Sequence, residues 1–155
     1  MSLETVRAWL AEYAPDLPLI EVKESTATVA TAAAALGVEP GRIAKTLAIR
    51  ANDQVFLLVA RGEARLDNAK AKAAFGGRPR LLDAAETLAV TGHPVGGVCP
   101  FGLAAPLPIY CDISLRDFGT VFPAAGSLNS SVEVAPERLA ALVGARWVDA
   151  CRLPE

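Results

Sequence analysis

The amino-acid sequence predicts an α+β fold in which a mixed, largely antiparallel sheet is surrounded by helices. Three observations point to it. The chain has 155 residues, 52% of them hydrophobic, with a mean hydropathy of +0.33, enough to bury a substantial core without disulfides or metal. Two apolar runs, residues 42–50 and 54–61, flank Ala51-Asn52-Asp53, whose turn chemistry folds them into an antiparallel hairpin. The remaining strand-like segments are joined by short hairpin-like connections more often than by long crossover helices. No repeat, low-complexity tract or linker interrupts the chain, so residues 1–155 are expected to form a single domain.

The elements follow in order. Leu3, Val6, Trp9, Leu10 and Tyr13 recur at helical spacing after Ser2, a candidate N-cap, and Pro15 and Pro18 end that helix. Leu19 to Val22 reads as a short strand. Thr26 or Thr28 caps an alanine-rich helix through Leu36, which Gly37 stops. After the hairpin, Asp67 caps a helix over 68–75 closed by Gly76-Gly77. A strand at 80–82 leads to Asp83, the cap of a helix through about Val90. Residues 91–106 are loop, dense in Gly and Pro. Strands are expected at 108–112, 120–122, 131–134 and 147–151, with a helical turn at 114–117. Pro136, at a first helical position, opens a helix to about Val143.

Composition narrows the classes. No apolar run approaches the roughly 18 residues needed to span a bilayer, and the acidic, amphipathic start lacks the order of a signal peptide, so a cytoplasmic protein is expected. Cys99, Cys111 and Cys151 form no Cys-x-x-Cys pair, and one His cannot complete a zinc site with them; no metal is expected. Cys111 and Cys151 read as small core residues. The formal charge of −2 argues against a generic nucleic-acid binder, and no DNA partner is expected, yet the charge is unevenly spread. Residues 1–41 carry −4, residues 42–80 carry +6 and residues 81–155 carry −4. The central block either attracts a phosphate backbone locally or is simply a basic solvated surface.

Two features carry candidate chemistry. In a strand, Ile43, Lys45, Leu47 and Ile49 share one face, so Lys45 falls within an apolar stripe. An unpaired buried ammonium costs several kcal/mol; either a cleft, a carbonyl cluster or an anion meets it, or the side chain snorkels to water. The second feature is residues 92–102, Gly-His-Pro-Val-Gly-Gly-Val-Cys-Pro-Phe-Gly, with four glycines and two prolines in eleven residues. Gly96-Gly97 can expose successive N–H groups to an anion or developing oxyanion, with Pro100 stiffening the loop; the alternative is a plain connector. It is not a Walker loop, because no Gly-Lys-Ser/Thr follows.

Ile43-Ala44-Lys45-Thr46-Leu47 resembles the lysine-bearing strand motif of the YbaK/EbsC family of editing deacylases, which is related to the editing domain inserted in some prolyl-tRNA synthetases. Residues 92–102 resemble that family's glycine-rich loop, with Gly-Gly-x-x-Pro-x-Gly intact over residues 96–102. The spacing of the two motifs, Asp112 after the following strand, and Ala125-Gly126 also match, and the likeness spans about Val22 to Asp149. The resemblance implies a cofactor-free hydrolase that deacylates mischarged aminoacyl-tRNA in trans, often tRNA(Pro) carrying a small amino acid such as Ala or Cys. It implies that Lys45 holds the 3′-terminal adenosine or its phosphate, and that Gly96 and Gly97 contact the aminoacyl carbonyl. His93, Val98, Pro100, Gly102 and Asp112 are the residues it places around the substrate. Asp112 is either a site-orienting group or an ordinary strand-end cap.

His93 and Cys99 invite a Cys-His nucleophile, but they lie six residues apart in one loop and no third group to orient the imidazole can be named. His93 reads instead as a pocket-lining side chain and Cys99 as a packing residue. Arg42, Arg65, Lys70 and Arg80, within the wider basic block, are the candidate contacts to the acceptor stem. Partners follow from this reading: the acceptor 3′ end of aminoacyl-tRNA, and prolyl-tRNA synthetase. Two other classes stay open, a catalytically silent module that binds aminoacyl-tRNA or a synthetase, and a Cys99-dependent hydrolase of another ester.

Overall fold

The hairpin dominates the computed structural model, which describes residues 2–154. Strands β2 (Ile43–Ala51) and β3 (Gln54–Arg61) pair antiparallel from Ala44↔Arg61 to Ala51↔Gln54. That register leaves only Asn52 and Asp53 in the turn, both with positive φ (52° and 63°), as a two-residue turn between twisted strands requires. Before the hairpin come α1 (Ser2–Tyr13), β1 (Leu19–Glu21) and α2 (Val29–Leu36). After it come β4 (Arg65–Leu66), α3 (Asn68–Phe75), β5 (Arg80–Leu81), α4 (Ala84–Thr91), β6 (Ile109–Asp112), β7 (Phe122–Pro123), β8 (Ser130–Val132), α5 (Pro136–Val143), β9 (Arg146–Val148) and β10 (Cys151–Arg152).

Capping residues stand where the sequence placed most of them. Thr28, not Thr26, caps α2, in a reciprocal capping box with Thr31. Asp67 and Asp83 accept the third N–H of α3 and α4, and Pro136 starts α5. Ser2 is the first residue of α1 rather than its cap, because its hydroxyl is engaged elsewhere, by His93.

The main sheet runs β5-β2-β3-β6-β9, with β7 also on β2. Most paired residues are antiparallel, through β2–β3 and β2–β5, whereas β7, β6 and β9 join in parallel. Two small antiparallel pairs, β1–β8 and β4–β10, close the flanks. Period-two alternation divides the core. Leu57 and Val59 pack on one side with Val6, Leu10, Phe101 and Leu139; Ile49, Phe56 and Leu58 pack on the other with Ala71 and Ala150. A smaller cluster of Ala32, Ala33, Ile43 and Phe122 seats α2.

Three strand expectations change. The 147–151 strand is two strands with different partners, β9 on β6 and β10 on β4. The buried Asp112 carboxylate takes the N–H groups of Ala150 (2.8 Å) and Cys151 (3.1 Å), which bends the chain between them. The 120–122 strand shifts to Phe122–Pro123, with Val121 and Ala124 forming only isolated bridges to Val134 and Ser131. The 131–134 strand likewise shifts, to Ser130–Val132, since its partner is β1.

Candidate active site

One edge of β2 is incompletely covered, and that gap is the site. Ile43 and Ala44 pair with β7, and Ile49 and Arg50 pair with β5. Between the two short strands a cleft of about 240 Å³ opens along Lys45–Leu47. Its walls come from the segment before α2 (Thr26, Ala27, Thr28), from Leu82 and Thr87, and from the glycine loop (Val95, Gly96, Val98).

Lys45 is half-buried on the Leu47–Ile49 face, and its ammonium donates to the Ala64 carbonyl. Burial pulls its pKa below the ordinary lysine value; Cys151 opposes that pull and the Arg65 charge adds to it. Lys45 is part of the cleft lining, and no carboxylate pairs with its ammonium among the described residues. The cation therefore retains donors for an anionic ligand.

The loop shares that cleft only in part. Gly96 (φ 94°) and Val98 line it, and neither N–H has a backbone acceptor among the described residues. The Gly97 N–H closes a turn onto the Pro94 carbonyl at 2.9 Å, and the Gly97 carbonyl accepts from Gly126 N–H at 3.0 Å. Gly97 thus anchors the loop instead of offering a donor. Pro100 is buried away from the cleft, and Gly102 (φ 58°) lies against the backbone of Thr5 in α1.

His93 is not a pocket-lining side chain. It is fully buried, with Nε2 2.7 Å from the Phe101 carbonyl and Nδ1 2.5 Å from the Ser2 hydroxyl. A carbonyl only accepts, so Nε2 carries the proton and Nδ1 accepts from Ser2. Burial depresses the pKa of this neutral ring, and the Phe101 hydrogen bond partly opposes it. Cys99 lies 3.6 Å from the same nitrogen but is fully buried, and burial pushes its thiol up to about 12. A thiolate nucleophile does not form there. Asp112 also lies outside the cleft, where it fastens Ser114, Ala150 and Cys151.

Of the predicted tRNA contacts, Arg42 reaches Glu133 (3.2 Å) and Thr120, and Lys70 reaches Asp149 (3.0 Å). Arg65 and Arg80 are exposed and have no carboxylate partner among the described residues. The sequence reading missed the hydroxyls of the cleft. Thr26, Thr46, Thr87 and Ser131 all line it, and the hydroxyls of Thr26 and Thr46 are buried without a hydrogen-bond partner. Alternation places Thr46 on the face opposite Lys45, which marks it as an ordinary strand residue; only the gap in the pairing reveals it.

Residues 23–142 match the family model described as "Aminoacyl-tRNA editing domain". A Bacillus subtilis (strain 168) protein, "Uncharacterized protein YwhH", is 45% identical over 98% of both chains. An Enterococcus faecalis protein named "Putative Cys-tRNA(Pro)/Cys-tRNA(Cys) deacylase EbsC" is 30% identical over 76% of this chain and 73% of its own. The fold superposes with a TM-score of 0.89 on a structure titled "Crystal structure of a putative trans-editing enzyme for prolyl tRNA synthetase", with 34% identity over 97% of both chains.

Proposed function

Because the chain belongs to the YbaK/EbsC family of aminoacyl-tRNA editing domains, we propose that it acts in trans as a deacylase of mischarged aminoacyl-tRNA. The 3′ end of the tRNA enters the gap beside β2. Lys45 anchors the terminal phosphate or adenosine by charge, and the N–H groups of Gly96 and Val98 polarise the ester carbonyl. The observation that carries this reading is a half-buried lysine, its ammonium bonded to one carbonyl, in the lining of the same cleft as loop N–H groups that have no backbone acceptor. Among the described residues, the cleft lining contains no carboxylate, imidazole or thiol. Water therefore attacks without a protein base, assisted by a free hydroxyl of the terminal ribose. An aminoacyl ester is already activated, so positioning and oxyanion stabilisation suffice. Ala27, Val29, Ala32 and Val98 narrow the cleft, which suits small amino acids such as Ala or Cys on tRNA(Pro). Selection among them is coarse, since one methylene is worth about 1–3 kcal/mol.

The test is release of free amino acid from a panel of mischarged tRNAs. Wild-type protein clears small residues, and Lys45→Ala loses at least about 100-fold of that activity with its thermal transition retained. Full activity in Lys45→Ala defeats the anchoring role. The same lack of a carboxylate, imidazole or thiol among the described lining residues favours one other reading, a module that binds aminoacyl-tRNA or the synthetase without hydrolysing it. Binding with no release across the panel selects that reading.

A further inference from the structure

The edge of β2 that faces the cleft has its own hydrogen-bonding pattern. Leu82 N–H donates to the Ala48 carbonyl at 3.0 Å, so the main-chain groups of Ala48 point away from β3. Residues two apart in a strand point their N–H and C=O the same way. Those of Ala44 and Thr46 therefore also point outward. On this edge Ala44 is paired with Pro123 of β7. Thr46 is not: the register of β7 ends at Ala44, that of β5 begins at Ile49, and neither its N–H nor its C=O has a partner among the described residues. The uncovered stretch from Ala44 to Ala48 is about 13 Å long, at roughly 3.3 Å per residue. Thr46 is half-buried at the cleft, so its main-chain donor and acceptor are both open to a ligand that enters there. A separate observation supports it. On the cleft wall, Thr26 is 6% exposed and its hydroxyl has no partner.

We propose that the main chain of Thr46 holds the aminoacyl group as though it were one residue of a neighbouring β-strand. This rests on the deacylase reading above and assigns the amino-acid subsite within it. In an antiparallel hydrogen-bonded pair, one residue's N–H and C=O meet the C=O and N–H of a single opposing residue. An aminoacyl ester carries the same two groups on one α-carbon. Its carbonyl accepts from Thr46 N–H, and its amine donates to the Thr46 carbonyl. The second lone pair of the ester oxygen is left for the loop donors at Gly96 and Val98. Recognition through main chain reads the α-amino acid framework common to all substrates, and the cleft walls then sort side chains by size.

The edge geometry supplies the test. Thr46 N–H faces away from β3, so proline at this position removes no β2–β3 hydrogen bond, and proline is tolerated on such an edge. Deacylation of alanyl-tRNA by Thr46→Pro should fall about 100-fold, the scale of one lost carbonyl donor, with the thermal transition kept. A second measurement does not depend on that variant folding. Wild-type protein should hydrolyse alanyl-tRNA about 10-fold faster than propionyl-tRNA, which lacks the amine, after each rate is divided by its uncatalysed rate. A folded Thr46→Pro with wild-type activity, or equal normalised rates on the two esters, overturns the rung while leaving the deacylase reading in place. An inactive wild-type protein removes the deacylase reading and the rung together.

Discussion

His93 shows how a residue that looks catalytic can be mechanical. Its ring bridges the glycine loop to the first residue of α1, through Phe101 on one side and Ser2 on the other. Because burial holds its pKa below the ordinary value of 6.5, the unfolded chain binds a proton more readily than the folded one. Stability is then complete above about pH 6.5 and declines as pH falls toward the lowered pKa. Urea unfolding at pH 7.5 and pH 5 should show this decline. His93→Asn should flatten it and cost about 1–3 kcal/mol at neutral pH, the range for leaving buried partners unsatisfied. An unchanged pH slope in that variant would assign the decline to other groups. Lys45 was legible from alternation alone, because a cation inside an apolar stripe needs a special neighbour. His93 was not, since its partners lie 91 residues back and eight ahead.

Among the elements, those with local signatures were readable. The hairpin declared itself by two apolar runs around Asn52-Asp53, and α2, α3 and α4 by Thr28, Asp67 and Asp83 at their starts. The short strands β5, expected at 80–82, and β7, shifted from 120–122, gave no sign that both pair with the same edge of β2. The cleft they leave between them was hidden for the same reason. The glycine loop was half legible: its composition announced unusual backbone, but not which glycine does what. Gly97 packs where a Cβ would stand 2.8 Å from Ser127 N and 2.9 Å from the Gly126 carbonyl carbon, so the loop and the 126–127 turn touch main chain to main chain. Gly97→Ala must push them apart. It should lower stability by about 1–3 kcal/mol, as overpacking does, and reduce deacylation by displacing Gly96 and Val98. Thermal melts and the release assay together check this; a variant with normal stability and activity would show that the contact is dispensable.

For the molecule as a whole, the basic central block resolves into two populations. Arg42, Arg50, Arg61 and Lys70 are tied to Glu133, Glu86, Glu63 with Asp117, and Asp149. Arg65, Lys72, Arg78 and Arg80 are exposed and have no carboxylate partner among the described residues. Arg80 lies directly across from Arg50 in the β2–β5 pair, and Glu86 meets Arg50 but not Arg80. Replacing Arg78 and Arg80 together by Ala should weaken tRNA binding and lower the slope of log affinity against log salt by about 1–2. The order of preference among amino acids should stay as it was. A salt slope equal to that of the wild type would move the RNA contact to another face.

The three sulfurs have a kinetic consequence. Cys99, Cys111 and Cys151 are all enclosed, and burial raises each thiol to about 12, leaving about one in 10⁵ ionised at neutral pH. Alkylation can then proceed only through transient opening, so its rate becomes a clock for local unfolding. Cys99 and Cys111 time the layer beneath α1 and α5, while Cys151 times the layer across the sheet.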